Sequence, residues 1–405
     1  MTKAEIIAIG TELLSPFRTD TNSLYLTQTL EEHGIQVIAK SILGDNLEQL
    51  IHGFQVAFAR SDVIICSGGI GPTVDDLTRE ALAEFLKIPL EFHQEVLEGI
   101  EARFRQRGYK MPESNRKQAM IPKGARILLN PHGTAPGIYM EVTDKQVFLL
   151  PGVPLELQKM WETAGLPLLK TRQAFQRKLF HIAMLPESTV DEMLRPVSSS
   201  LQDVRYTILA SPADIEVHLL APQTAADEMI SACAEIRSIL GNSLYAEDGV
   251  KMEAVVGRLL RQSGKKVAVA ESCSGGLLAQ RLTDVAGSSA YFERGVVVYS
   301  NQAKTELLGV SGEMITANGA VSEPVAAAMA EGIRKLAKVD FGISITGIAG
   351  PEGGSPEKPV GTVFIGLAEQ QKTNVKRYSF PGERQRVRFM SSQAALNLLR
   401  LRLLS

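Results

Sequence analysis

The sequence predicts an α/β fold class, with two separate three-layer α/β domains joined by a small α+β module. The chain has 405 residues, which exceeds the size at which a single hydrophobic core usually stops growing, so more than one domain is expected. In the first and last regions of the chain, short apolar runs alternate with stretches of helical periodicity, a pattern typical of parallel sheets covered by helices. The shorter middle region has both kinds of element but few polar motifs. We therefore predict domains over 1–170, 171–248 and 249–405.

Composition and charge limit the classes of function. Apolar residues make up 44% and charged residues 22% of the chain, which is ordinary for a folded protein. The formal net charge of −2 gives no overall basic field, so we expect no nucleic-acid partner. Cys66, Cys233 and Cys273 show no Cys-x-x-Cys spacing, which argues against a zinc site or a disulfide framework. No apolar run reaches the roughly 18 residues needed to span a bilayer. We expect a cytoplasmic protein with no membrane partner.

Strands and helices alternate in the predicted first domain. Strands are expected over 5–9, 35–41 and 62–66, and helices over 22–33 and 47–60. Two later apolar runs, over 137–141 and 146–150, flank a turn-like Thr143-Asp144-Lys145 and predict a hairpin, followed by a helix through Trp161. Such a hairpin gives a sheet of parallel strands an antiparallel edge.

The module and the last domain follow the same logic. In the module we expect strands over 178–184 and 215–220, with helices over 188–199 and 224–240. In the last domain we expect strands over 266–270, 295–299, 341–345, 362–368 and 373–380, and helices over 250–263, after Gly275, over 323–338 and from 383. Ser322 is expected to cap the helix that has Pro324 in its first turn.

A glycine-rich turn between a buried strand and a helix is the main polar motif of the first domain. Gly68, Gly69 and Gly71 let backbone N–H groups approach an anion, and Thr73 lies at the expected helix start. The motif therefore predicts phosphate binding. An alternative is that Thr73 and Asp76 only form a capping box.

Other polar residues follow neighbouring strands, and loops at the carboxyl ends of parallel strands meet at one crevice. Glu12 follows the first strand and Asn22 opens the next helix, so carboxylates of Glu12, Asp75 and Asp76 predict a divalent metal (Mg, Mn or Co) beside the phosphate. Gly133 and Thr134 belong to a segment, 130–137, that either contacts substrate or forms a Pro/Gly-rich turn. For the turn over 151–156 we favour a purely structural role.

The last domain places a serine, a tyrosine and a lysine at or after predicted strand ends, and no histidine follows His218. Ser272 lies in the turn after its strand, where free backbone N–H groups can stabilise an oxyanion. Tyr299 is expected to end a strand, Ser300 to cap the next helix, and Lys304 to lie one turn inside it. A desolvated Lys304 can then act as the base, directly or through Tyr299. The alternatives are that Ser272 is only an N-cap and Lys304 a solvated helix residue.

A second glycine-rich loop follows the strand over 341–345. Thr346, Gly347, Ala349 and Gly350 suit a phosphate or an oxyanion, with a plain surface loop as the alternative. Cys273 is a weaker candidate nucleophile than Ser272, because no histidine can form a thiolate pair with it, and we favour a small buried thiol. For three arginines near the start of the last helix we favour a solvated position over a phosphate contact: Arg384, Arg386 and Arg388.

These motifs, in this order, resemble a known family. The Gly-Gly-Ile-Gly-Pro-Thr-Val-Asp-Asp stretch is similar to the molybdopterin-binding-like domain shared by molybdenum-cofactor enzymes and the CinA family (competence/damage-inducible protein A). Segments 270–276, 299–304 and 346–351 resemble the C-terminal CinA domain. The resemblance covers essentially the whole chain in the same domain order.

The resemblance implies a bifunctional enzyme of pyridine-nucleotide salvage. The C-terminal domain of the family deamidates nicotinamide mononucleotide (NMN) to nicotinate mononucleotide and ammonia, without a cofactor. By position, Ser272 would be the nucleophile, Lys304 and Tyr299 its proton-handling partners, and Thr346 with the loop 347–350 the substrate contacts. The N-terminal domain of the family is associated with metal-dependent hydrolysis of ADP-ribose, the middle module with a KH-like fold, and the assembly with a homodimer.

A second hypothesis is a protein that binds and does not catalyse. A pterin- or nucleotide-binding protein linked to competence or DNA damage would fit the family name equally well. One observation distinguishes the two hypotheses. An enzyme turns over ADP-ribose or NMN, whereas a binding protein takes them up stoichiometrically.

Overall fold

The computed structural model describes residues 2–170 and 175–405 of an α/β protein. The chain forms two compact units, Met1–Gln176 with Pro222–Thr224, and Arg177–Ala221 with Ala225–Ser405. None of the helices within the described ranges combines the length and the apolar character that crossing a membrane requires.

The first unit is built on a six-stranded sheet. Its strands are β1 (Thr2–Ile9), β2 (Ile35–Leu43), β3 (Val63–Ser67), β4 (Leu90–Phe92), β5 (Met120–Pro122), β6 (Arg126–Leu128), β7 (Gly137–Val142) and β8 (Lys145–Leu150), of which β4 and β5 form a separate pair. Its helices are α1 (Asn22–Glu32), α2 (Leu47–Arg60), α3 (Thr78–Leu86), α4 (Gln94–Gln106) and α5 (Pro154–Met160). The strand order of the main sheet is β2-β1-β3-β8-β7-β6.

The sheet of the first unit is parallel over β2, β1, β3 and β8, and antiparallel from β8 through β7 to β6. The predicted hairpin and antiparallel edge are therefore confirmed. Side chains alternate between two cores, because successive residues of a strand point to opposite faces. Ile7 and Ile64 pack towards α2 and α3, whereas Ile6 and Ile65 pack towards α1 and α5. The unit has three layers.

The second unit begins with the small α+β module. The module consists of β9 (Phe175–Ala183), α6 (Glu187–Ser200), β10 (Arg205–Ser211), β11 (Asp214–Pro222), α7 (Ala226–Leu240) and β12 (Leu244–Glu247). The order of its sheet is β10-β11-β9-β12. One face of the sheet packs against the apolar sides of α6 and α7, for example Phe180 and Val217 against Leu194 and Ile236.

A second α/β domain completes the unit. Its strands are β13 (Val267–Glu271), β14 (Phe292–Val297), β15 (Phe341–Gly347), β16 (Thr362–Ala368) and β17 (Thr373–Ser379). Its helices are α8 (Met252–Ser263), α9 (Leu277–Thr283), α10 (Asn301–Leu308), α11 (Gly312–Asn318), α12 (Glu323–Ala337) and α13 (Arg384–Leu404). The strand order is β14-β13-β15-β16-β17, with β13 parallel to both neighbours and β16 and β17 antiparallel.

This domain also has three layers. Val267 and Val269 of β13 belong to a core shared with α8, α9 and α13, whereas Ala268 and Ala270 belong to a core shared with α12. The small alanine side chains let α12 approach the sheet closely. Expected and observed strands agree to within three residues at each end, and one difference matters for the site, since β14 ends at Val297 and does not reach Tyr299.

Candidate active sites

The three polar motifs of the C-terminal domain leave the sheet at one edge. β13 lies between the parallel strands β14 and β15, so the segments that begin at Ser272, Val298 and Ile348 start side by side. The first segment is central. The sequence-predicted residues of three separate motifs thus share one edge of the sheet.

The turn after β13 is held by the buried carboxylate of Glu271. It accepts hydrogen bonds from three backbone N–H groups, those of Gly276 (3.0 Å), Leu278 (3.0 Å) and Ala279 (2.8 Å). The first N–H groups of a helix lack partners within it, so Glu271 does the work of an N-cap side chain for α9. The alternative that Ser272 is the N-cap is therefore wrong, and the hydroxyl of Ser272 is not used in capping.

Lys304 lies beside that serine. Its Nζ donates to Ser272 Oγ at 3.3 Å and also contacts the carbonyl oxygens of Val298 (2.9 Å), Tyr299 (3.3 Å) and Ser300 (3.5 Å). The lysine is 1% exposed, so it is not a solvated helix residue. No carboxylate forms an ion pair with it among residues 2–170 and 175–405. Desolvation by burial is the largest effect on this group and lowers the pKa of Lys304 below the usual value of lysine, against a smaller opposing effect of Cys273.

Tyr299 reaches Lys304 only through its backbone carbonyl. Its phenol is 62% exposed and accepts a hydrogen bond from Arg384 at 3.0 Å. The same guanidinium donates to the carbonyl oxygen of Gly350 at 2.9 Å, so Arg384 links the segments that follow β14 and β15. The expectation that Arg384 is merely solvated is wrong, because two acceptors from different loops fix its position.

Most of the residues predicted as ligand contacts in the loop after β15 are buried and take part in packing. Thr346 is buried and its hydroxyl donates to the carbonyl oxygen of Ala320 at 2.9 Å. Gly347 is partly exposed, while Ala349 and Gly350 are buried. A Cβ on Gly347 would lie 3.1 Å from the sulfur of Cys273, which shows how closely this loop packs on the serine turn.

Cys273 is a buried thiol. Burial raises its pKa to about 12, so the sulfur stays protonated at neutral pH. Arg388 donates twice to the carbonyl oxygen of Ser274, at 2.8 and 3.0 Å, and so fastens α13 to the serine turn. The expectation of a solvated helix start is wrong for Arg388 as well, whereas Arg386 is exposed.

The first unit has a cavity of about 760 Å³ at the carboxyl ends of its four parallel strands. The predicted site residues that line it are Glu12, Asn22, Gly68, Gly69, Gly71, Thr73, Asp75, Asp76 and Thr134. Gly133 lies next to it without lining it. The turn over 151–156, for which we favoured a purely structural role from the sequence, also lines it.

The glycine-rich turn of this cavity depends on its glycines. Gly68 and Gly69 have φ angles of 105° and 66°, a region that disfavours any side chain. A Cβ on Gly69 would lie 2.1 Å from Thr78 Oγ1, because Thr78 donates to the carbonyl of Gly68. Asp76 accepts hydrogen bonds from the N–H (2.8 Å) and hydroxyl (2.6 Å) of Thr73. These two hydrogen bonds close a loop that precedes the helix. Because α3 begins only at Thr78, the capping-box alternative is wrong.

Asn22 connects the loops around the cavity. Its side-chain N–H groups donate to Ser67 Oγ and to the carbonyl of Gly152, both at 2.8 Å. Its buried Oδ1 accepts no hydrogen bond within the described residues. Asn22 is therefore a scaffold residue with one acceptor left for a ligand.

The cavity is strongly acidic. Six carboxylates and one arginine are among its lining residues: Glu12, Asp20, Asp45, Asp75, Asp76, Glu156 and Arg18. A phosphate group would be repelled here unless a cation lay between, and carboxylate oxygens are the ligands that Mg²⁺-like ions prefer. The donor set thus fits a divalent metal. Glu12, Asp75 and Asp76 do not form a compact three-ligand group in the described part of the chain, so phosphate oxygens and water would complete the coordination.

Sequence reasoning missed several residues that the sites depend on. Glu271 was not singled out, although an acidic residue directly before a Ser-Cys-Ser-Gly-Gly turn is a recognisable signal for a remote cap. Arg79 is fully buried and donates to the carbonyls of Ile70 (2.8 Å) and Gly71 (3.0 Å), which fixes the glycine-rich turn. A lone arginine inside a helix gives no such signal in the sequence.

Comparison with known proteins agrees with this arrangement of two α/β domains. A family model described as "CinA C-terminal domain" matches residues 249–403, and one described as "Probable molybdopterin binding domain" matches residues 5–171. A CinA-like protein of Koribacter versatilis is 44% identical over 415 residues, covering 99% of this chain and 100% of that protein. A CinA-like protein of Solibacter usitatus is 43% identical over 407 residues, covering 99% and 98%.

The chain is therefore an α/β protein that joins a molybdopterin-binding-like domain to a CinA C-terminal domain. Because the full-length relatives share this arrangement, the chain belongs to the CinA family. Among solved structures, the competence damage-inducible protein A of Klebsiella pneumoniae is 37% identical to the region it matches, covers 38% of this chain and 95% of its own, and gives a TM-score of 0.37.

Proposed function

We propose that this protein is a hydrolase of pyridine nucleotides and that its C-terminal site deamidates NMN to nicotinate mononucleotide. The observation that carries the proposal is the buried Lys304 with its Nζ 3.3 Å from Ser272 Oγ and with no carboxylate partner in the described residues. A lysine whose pKa is lowered can be neutral and can therefore accept a proton from a serine hydroxyl. This supports a nucleophilic serine without an imidazole base.

The reaction proceeds in two balanced steps. Ser272 Oγ attacks the carboxamide carbon of the substrate while its proton passes to Lys304, and the tetrahedral intermediate collapses when the ammonium of Lys304 returns the proton to the leaving amine. Ammonia departs and an acyl-enzyme remains. Water then attacks the ester, again with Lys304 as base, and releases the carboxylic acid and free Ser272.

Backbone N–H groups of the serine turn are the proposed oxyanion donors. Those of Gly275 and Gly276 are used within the turn, by the carbonyl of Ser272 and by the carboxylate of Glu271. That of Ser274 finds no acceptor in the described parts of the chain, and that of Cys273 contacts only the sulfur of its own side chain there. These two N–H groups next to the nucleophile suit a negative charge that develops on the carbonyl oxygen.

For Tyr299 and Arg384 we propose a role at the rim of the site. The phenol is turned towards Arg384 and away from Lys304, which supports substrate contact over proton transfer. Arg384 is exposed and supplies a fixed positive charge near Ser272, as recognition of the nucleotide phosphate requires.

The C-terminal proposal is tested by ammonia release from NMN with the full chain. Ser272→Ala should abolish release, whereas Ser263→Ala, which removes an exposed serine of α8, should leave the rate unchanged. Equal rates for Ser272→Ala and wild type would exclude Ser272 as the nucleophile.

For the N-terminal site we propose metal-dependent hydrolysis of the pyrophosphate of ADP-ribose. The support is the acidic cavity beside a glycine-rich turn at the carboxyl ends of parallel strands. Glu12, Asp75 and Asp76 would hold the metal, which when bound neutralises the pyrophosphate and polarises it for attack by water. Gly69, Gly71 and the Asn22 carboxamide would position the substrate.

This second activity is tested by AMP release from ADP-ribose with Mg²⁺, Mn²⁺ or Co²⁺. Asp75→Asn should lower the rate, and Asp144→Asn, an exposed carboxylate in the β7–β8 turn, is the matched control. Saturable binding of ADP-ribose without turnover at every metal would instead favour the binding-protein hypothesis for this domain.

A further inference from the structure

A polar cluster lies on the sheet of the α+β module, away from both sites described above. It consists of His181 on β9 and of Asp214 and Glu216 on the neighbouring strand β11. The alternation of side chains explains its position. Phe180 and Ile215 point into the module core, so the residues next to them point to the opposite face.

The cluster has the geometry of a ligand set. His181 Nδ1 lies 3.3 Å from Asp214 Oδ2 and 3.8 Å from Glu216 Oε1. One ligand atom from each of the three residues lies within 4.8 Å of the other two. Within the described residues, no other group of three histidine, cysteine or acidic side chains is as compact.

Orphaned buried atoms mark the centre of the cluster. His181 is fully buried, yet neither of its ring nitrogens has a hydrogen-bond partner in the described part of the chain. Asp214 Oδ1 is likewise buried without a partner there. Buried polar atoms are nearly always hydrogen-bonded, so an imidazole aimed at two carboxylates without bonding to them requires an explanation.

We propose that His181, Asp214 and Glu216 bind a divalent metal ion of the zinc class. Zn–N and Zn–O bonds of about 2.0–2.2 Å give ligand-to-ligand distances of roughly 3.3–3.6 Å in a tetrahedron, close to the two observed distances. One imidazole with two carboxylates suits zinc better than Mg²⁺ or Ca²⁺, which take mostly oxygen ligands in larger number. The cysteine spacing excludes a thiolate site, but this site uses none.

Neighbouring groups support the ligands. Tyr245 donates from its hydroxyl to Asp214 Oδ2 at 3.1 Å, as outer-shell residues do when they orient a carboxylate ligand. His218 Nε2 lies 3.0 Å from Glu216 Oε2 and orients the second carboxylate in the same way. Glu216 is 24% exposed at its side chain and provides a path for entry, while the fourth position is left for water.

The bound ion would join β9 to β11 and thereby stabilise the module. A metal that binds the folded protein and not the unfolded chain raises the thermal midpoint, and the increase grows with the affinity and the concentration of the metal. This role depends on neither of the proposed activities, so failure of one proposal leaves the other untouched.

The test is zinc binding to the full chain after treatment with a chelator. Isothermal titration calorimetry and elemental analysis should find one zinc ion per chain fewer in His181→Gln than in wild type, and at least about a tenfold weaker site in Glu216→Gln. His93→Gln, in an exposed histidine–glutamate pair of the first unit, is the matched control and should keep the wild-type stoichiometry. Asp75→Asn, which alters the acidic cavity of the first unit, distinguishes zinc bound there from zinc bound at His181.

Folding is checked by a thermal melt with chelator present, where His181→Gln and wild type should unfold at similar temperatures. With zinc added, wild type and the two controls should gain more thermal stability than His181→Gln. Wild-type stoichiometry retained in His181→Gln, or no zinc bound by wild type at tens of micromolar, would overturn the proposal.

Discussion

The pairing of Ser272 with Lys304 is best tested by a double-mutant cycle. Lys304→Met replaces the lysine by an apolar side chain of similar length that cannot accept a proton. A positioned general base contributes about 10²–10⁴-fold to the rate, which corresponds to about 2.7–5.4 kcal/mol of transition-state stabilisation. We expect Lys304→Met to lower kcat/KM for ammonia release by that factor.

The structure also predicts how the two substitutions combine. Among the residues that the structure describes, Lys304 donates to no other side chain that could serve as a nucleophile, since its remaining partners are backbone carbonyls. Its effect should therefore vanish once Ser272 is gone, because residues that act as a unit are not additive. The double variant should be no slower than Ser272→Ala alone, so that the coupling energy equals the whole effect of Lys304→Met.

The assay is ammonia release from NMN, with nicotinate mononucleotide measured as the second product. Lys335→Met removes an exposed lysine of α12 and should leave the rate unchanged. Because the Nζ of Lys304 also binds three carbonyl groups, a thermal melt must show that the variants are folded. Additive losses in the double variant, or a loss of less than tenfold in Lys304→Met, would refute the role of Lys304 as the base of Ser272.

The pH profile gives an independent reading of the same group. The base works when neutral, and burial lowers the pKa of Lys304, so kcat/KM should rise with pH and reach its plateau below the usual pKa of lysine. Lys304→Arg should remove this ascending limb together with most of the activity, since a guanidinium stays charged throughout. An unchanged limb in Lys304→Arg would assign it to another group.

Three further outcomes are expected. Cys273→Ala should keep ammonia release within about twofold of wild type, because a thiol with a pKa of about 12 is not a nucleophile at neutral pH; a large loss would return Cys273 to the catalytic role. Glu271→Gln should destabilise the protein by about 1.5–3 kcal/mol in urea unfolding, because the amide cannot replace a carboxylate that accepts three backbone hydrogen bonds. Gly69→Ala should abolish AMP release from ADP-ribose and leave ammonia release intact, because its Cβ would meet Thr78 at 2.1 Å; loss of both activities would instead indicate global unfolding.

The fold could be predicted well where hydrophobic periodicity is strong. β3, β13 and β16 are buried runs, and α2 is an amphipathic helix of the predicted length. Elements of weaker pattern were not predicted. β10 is an exposed edge strand, with only alternate residues partly buried, and α4 is a charged helix that buries only Leu97 and Ile100. Their positions depend on neighbours that the local sequence does not reveal.

For the candidate C-terminal site, the sequence predicted which residues take part better than it predicted the contacts between them. The serine and the lysine lie together because β13 and β14 are adjacent and parallel, which the alternation of strands and helices indicates. Tyr299 was placed at a strand end, but the ladder stops at Val297, and the carbonyl groups beyond it turn towards Lys304. Arg384 was assigned to solvent because the loop that holds its guanidinium lies more than thirty residues earlier in the chain.

The α/β class, the glycine-rich turns and the absence of a histidine base after residue 218 could be predicted without a structure, because they follow from composition, periodicity and local backbone requirements. The protonation chemistry of the C-terminal site depends instead on tertiary packing. Burial of Lys304 without a carboxylate partner in the described residues, the contact of its Nζ with Ser272 and the unpartnered imidazole of His181 all arise from residues far apart in the chain. Desolvation is a property of packed surroundings, and no local pattern of residues encodes it.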